Sequence, residues 1–127
     1  MNKILPALTA LILLTAPVYA SHMTKDQLPA PKTIRPLDIV DLTGKTTLEF
    51  RWSGEGWGDR IYRFRIFKGP SPVESAMILK NEFPAGQTSF EAPADLFQAG
   101  ETYSWSIRQV GSTKSDLHYS VFKIVKK

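Results

Sequence analysis

The sequence predicts an all-β fold: a two-layer sandwich of about seven antiparallel strands. Two observations carry this expectation. Short runs alternate apolar with polar side chains and are rich in aromatic and β-branched residues, the period-two signature of half-buried strands. Gly, Pro, Asn and Ser punctuate these runs, and no long stretch shows a helical period.

Taken in order, the first element is not part of the sandwich. Residues 1–20 read as a secretory signal peptide: Lys3, the apolar run "ILPALTALILL", then "PVYA" with Val18 and Ala20 where a signal peptidase reads small residues. The run is short of the roughly 20 residues of a membrane span. Cleavage is expected after Ala20, with the product secreted or periplasmic. Residues 21–36, "SHMTKDQLPAPKTIRP", read as a Pro-rich extended leader. The sandwich domain is expected over 37–127.

Within it, "IRPLDIVDL" reads as a first edge strand. "TTLEFRW" puts Leu48, Phe50 and Trp52 inward, and "IYRFRIF" does so for Tyr62, Phe64 and Ile66. "AMILKNEF" and "TSFEAP" read as weaker strands, although "PVESAMILKN" also suits one or two helical turns. "TYSWSIRQV" places Tyr103, Trp105 and Ile107 inward, and "HYSVFKIV" places Ser120, Phe122 and Ile124 there.

These elements resemble a fibronectin type III domain, an immunoglobulin-like sandwich. "LEFRWSG" is similar to the family's second strand with its core tryptophan, here Trp52; "YRFRIFKG" is similar to the third, opening at Tyr62. "DLFQAGETYSWSIRQV" resembles the E–F corner, with Leu96, Gly100 and Tyr103 in the recurring places, and "YSVFKIV" resembles the last strand. Trp105 is a second large aromatic in the sixth strand, a flavour similar to the divergent type III-like domains of bacterial exported proteins. The resemblance implies a scaffold and leaves activity open. Independently of it, a tyrosine at the start of such a strand can hydrogen-bond back to the preceding connection, and Gly100 suits a tight corner.

Composition excludes several functions. The chain has no cysteine, so disulfides, a lipid-anchored cysteine and thiol chemistry are out. Net charge is +4, or about +3 once Lys3 leaves with the signal. That permits an anionic partner without demanding one, and nucleic acid is a poor fit. His22 and His118 lie in no triad or ligand spacing. No calcium loop is present, and "GEGWG" lacks the lysine and helix of a phosphate cradle. The expectation is therefore no enzyme, no metal and no cofactor.

Binding is the remaining signal. Alternation turns Arg63, Arg65 and Phe67 outward on one strand, Ser104, Ser106 and Arg108 on a second, and Tyr119, Val121 and Lys123 on a third. Type III topology sets the three side by side. Arginine offers bidentate contacts to carboxylate, phosphate or sulfate, and aromatics stack on sugars or anchor proteins. An ordinary solvated face with cross-strand ion pairs is the plainer alternative. In "SGEGWGDR", Trp57 beside Arg60 is either an exposed anchor or a lid over Trp52 or Phe64. The expected function is a non-catalytic binding or adaptor module for a protein partner or envelope glycan. The alternative is a structural subunit that adds a strand at an open sheet edge.

Overall fold

The structure is a computed structural model that describes residues 28–54 and 60–127. The expected signal peptide, most of the expected leader and Trp57 lie outside the described residues. Among the described residues eight strands follow one another: β1 (Lys32–Arg35), β2 (Asp38–Asp41), β3 (Thr47–Ser53), β4 (Ile61–Lys68), β5 (Met77–Pro84), β6 (Ser89–Pro93), β7 (Thr102–Val110) and β8 (His118–Val125). Among the described residues the helical pieces are short 3-10 turns at Glu74–Ala76 and Ala94–Leu96.

The strands form two sheets, ordered β1-β3-β6 and β2-β8-β7-β4-β5. Their apolar faces meet to give a β-sandwich. Leu48, Phe50 and Trp52 from one sheet meet Tyr62, Phe64, Ile66, Tyr103, Trp105, Ile107, Phe122 and Ile124 from the other, all buried. These are the side chains that alternation turns inward. Aromatic edges lock the layers together. The Phe50 ring meets Phe64 at 5.1 Å and Trp105 at 5.2 Å, both edge-on, an arrangement the ring quadrupoles favour.

The single edge strand expected over "IRPLDIVDL" is instead two strands. The chain pairs with β3 up to Arg35, passes through Pro36, then crosses to the other sheet and pairs with β8. Proline lacks the N–H that would continue the first ladder. The crossover also makes β2–β8 parallel, whereas the other described strand pairs are antiparallel. The ordered sandwich consequently extends upstream of residue 37. Lys32–Arg35 lies between Pro31 and Pro36 with its own backbone donors intact, so an extended, Pro-flanked segment serves as an edge strand.

The corner before β7 matches the physical expectation. Tyr103 is buried, and its hydroxyl accepts the Gln98 backbone N–H at 2.9 Å. Gly100 has φ +83, the left-handed region that favours glycine. Trp105 donates its indole N–H to the Pro36 carbonyl at 3.1 Å, so the crossover residue is tied to the core.

The two ends of the sandwich differ. At one end, the segment at Leu28 meets the β3–β4 and β7–β8 connections. A Cβ on Gly111 would lie 3.1 Å from Arg60 Cγ and 3.6 Å from Leu28 Cδ1. Gln109, fully buried, donates its side-chain N–H to the Pro29 carbonyl at 2.9 Å. At the other end Lys127 donates its backbone N–H to Thr43 Oγ1 at 2.9 Å, and Leu42 donates to the Val125 carbonyl at 2.8 Å.

Candidate functional site

The outer face of the five-stranded sheet brings together most of the residues singled out from the sequence. The register sets Glu82, Arg63 and Arg108 in one row across β5, β4 and β7. The next row is Lys80, Arg65, Ser106 and Tyr119, and the row after it Met77, Phe67, Ser104 and Val121. Lys123 lies one row further, between Thr102 of β7 and Ile39 of β2. Arg63, Arg65 and Arg108 are thus neighbours on β4 and β7, with Arg63 directly opposite Arg108. Like charges placed so are destabilising unless an anion or carboxylate intervenes.

Among the described residues, two carboxylates approach this cluster, loosely. Arg63 Nε lies 3.4 Å from Glu82 Oε2, and Arg65 Nη1 lies 3.8 Å from Glu74 Oε1. Both acids are largely exposed, and such pairs contribute little in water. Arg65 Nε and Arg108 Nε are buried with no hydrogen-bond partner among the described residues. The stems of Arg63 and Arg65 are covered, with only 26% and 24% of the side chains exposed. Beside them on β7, Ser106 opposite Arg65 and Ser104 opposite Phe67 are fully buried. Small residues in the middle of the sheet let long arginine stems lie flat across it while their charged ends reach solvent.

Phe67 does not belong to the exposed surface. It points to this face, yet only 2% of it is accessible. The ladder shifts between Ile66 and Phe67, so two β5 residues, Met77 and Ile78, stand against one β4 residue. A bulge crowds side chains at that point, and Phe67 is packed rather than offered to a partner. Tyr119 and Lys123 are exposed, Tyr119 at 45%. Arg60 is not on this face. It lies at the end of the sandwich beside Gly111, and its carbonyl accepts the Ala85 N–H at 3.1 Å. Trp57 lies outside the described residues.

Sequence reasoning missed several participants. Glu82 could be found only through the β4–β5 register, and Glu74, in the turn before β5, only through the fold. Ile39, at 70% exposure, and Ile78 add apolar surface at the two borders of the same face. The burial of Ser104 and Ser106 was invisible to alternation, which assigns a side and not a depth.

His118 sits at the start of β8 as a strand-edge residue. Its Nδ1 accepts the Thr33 backbone N–H at 3.2 Å, and the Thr33 hydroxyl also bonds Ser120 Oγ. These bonds stitch β1 to β8 across the rim between the two sheets. Among the described residues no three of His, Asp or Glu cluster closely enough to hold a metal ion. Open grooves of 370 and 290 Å³ lie at the sandwich rims, lined respectively by Pro29, Lys32 and Ser53 and by Val40, Lys45 and Glu91. Neither includes the arginines.

No protein-family model matches the chain, and no curated protein sequence does. Among the described residues, no helix is long and apolar enough to cross a membrane.

Proposed function

We propose that this protein is a non-catalytic binding or adaptor module. It engages a protein partner or an envelope glycan through the arginine-rich face of its larger sheet. One observation carries the reading: three neighbouring guanidinium groups meet, among the described residues, two loosely held, solvent-exposed carboxylates. A bidentate anionic group would pair with these guanidinium groups far better than either carboxylate does. Tyr119, one strand away, supplies a ring for stacking on a sugar or anchoring a protein surface. The contact set is Arg63, Arg65, Arg108 and Tyr119, with Lys123 at its rim.

The scaffold reading is a fibronectin type III-like domain of an exported protein. The strand order, the Tyr103 hydroxyl bonded to the preceding corner and the positive φ of Gly100 support it. The signal-like N-terminus supports export.

The test is retention of the purified protein on peptidoglycan, on an acidic polysaccharide and on immobilised envelope proteins, each with a salt series. Retention should fall with salt and be lost in Arg63→Ala with Arg65→Ala. Retention on any of these that survives both changes would remove the arginine face from the interaction, and absence of retention on all three would reject the proposal.

A further inference from the structure

The two sheets end in four border strands, β1 and β6 in the smaller and β2 and β5 in the larger. Three of them are poor templates for another strand. β1 has four residues and a register shift between Thr33 and Arg35. β2 has four residues and begins at Asp38 with φ +57. β6 has five and ends in Pro93. β5 also ends in a proline, Pro84, but differs in length, with eight residues. Its irregularity is confined to Met77 and Ile78, and Leu79–Phe83 runs in unbroken register with β4. The outer side of this stretch faces no other described strand.

An edge lysine commonly prevents strand addition, and β5 carries Lys80. The residue spacing cancels that protection for one partner, a second copy of the same strand. We propose that β5 pairs antiparallel with β5 of a second copy, about a two-fold axis through Asn81, so that the two five-stranded sheets become continuous. In this register Lys80 stands opposite Glu82 of the other copy, and Glu82 opposite Lys80. The two opposite-charge pairs share the exposed outer face. On the core side Leu79 stands opposite Phe83, and Phe83 opposite Leu79. Both residues are only partly buried where they pack at the border of the core, and each would cover the other's open flank. The contact is isologous, so it closes at two copies and leaves no further edge of this kind. It shares Glu82 with the arginine face, where Glu82 lies beside Arg63, but needs no ligand there, so the dimer can stand or fall without the arginine-face reading.

Sedimentation equilibrium on the purified protein tests this, with tryptophan fluorescence confirming that each variant is folded. The wild type should dimerise reversibly. Lys80→Glu and Glu82→Lys each replace attraction by repulsion at two symmetric positions and should weaken dimerisation by about tenfold or more. The double exchange should restore it. The chain has no cysteine, so Asn81→Cys gives a second reading: it should cross-link to its own copy under mild oxidation much faster than Lys114→Cys. A wild type that stays monomeric at every concentration overturns the proposal. So does a dimer indifferent to the single charge reversals, or equal cross-linking at positions 81 and 114.

Discussion

The two faces of the larger sheet obey the same alternation and solve different problems. On the inner side of β4 and β7 stand Phe64, Ile66, Trp105 and Ile107, all fully buried against the opposing sheet. On the outer side Ser104, Ser106 and Phe67 are buried just as deeply, yet no second sheet covers them. Their cover comes from neighbours on the same face: the register sets Ser106 beside Arg65, and Ser104 beside Phe67. Strands at the centre of a wide sheet therefore have two dry sides, one packed by a core and the other roofed by amphipathic side chains. The difference lies in what the roof leaves over. An aromatic core is satisfied once closed, whereas a guanidinium roof carries charge that two exposed carboxylates meet only loosely.

Substitutions on either side of one strand test this contrast most directly. Phe64→Ala should destabilise by about 3–5 kcal/mol, the usual cost of emptying an aromatic site in a core. Phe67→Ala, on the outer side, should cost about 3 kcal/mol. An ordinary surface position would cost within about 0.5 kcal/mol. Urea unfolding of the two variants decides it, and a near-zero value for Phe67→Ala would show that the outer face is not a packed layer. Next in size is Tyr103→Phe, which keeps the ring and removes the acceptor for the Gln98 N–H; about 1 kcal/mol is expected, measured the same way.

Arg65→Lys, which keeps a long stem on the sheet, should change stability by less than about 1 kcal/mol, because the pairing of Arg65 with Glu74 is exposed and long. Its effect belongs on ligand retention. A large stability loss with intact retention would make the arginines structural. The smallest effect lies outside both faces. Asp41 accepts hydrogen bonds from the backbone N–H and hydroxyl of Thr43, at 2.9 and 2.6 Å, which hold its carboxyl below the usual aspartate range. A depressed folded-state value gives stability present above the unfolded pKa and lost as pH falls through the folded one. Asp41→Asn should therefore flatten the acid limb of a stability-pH profile slightly and leave neutral binding unchanged.

Much of the architecture was legible in the sequence. Alternation around Phe50, Phe64, Trp105 and Phe122 placed the core, and "QAGETY" marked the corner that Tyr103 closes. Three things escaped. Pro36 divides one apparent strand between two sheets, because a proline read locally says only that pairing stops and not where the chain goes next. Phe67 was placed on the right side and given the wrong depth, since the bulge opposite it is a property of β5. The acidic neighbours of the arginines depend on register, and register is settled by the global fit of two strands. The arginines themselves were legible because Arg63 and Arg65 share a parity on β4 and Arg108 answers them from β7.

The Pro36 crossover has a mechanical consequence. Chain arriving at Leu28 runs down β1 and β2 in succession, while β8 runs the same way and leaves at the far end of the molecule. Tension applied between Leu28 and Lys127 would draw β2 and β8 past each other lengthwise. Their ladder bonds would be strained together instead of peeling one at a time, so the seam would yield in shear. Pulling single molecules through these two points, beside a variant with Ile39→Pro, would read the strength of that seam.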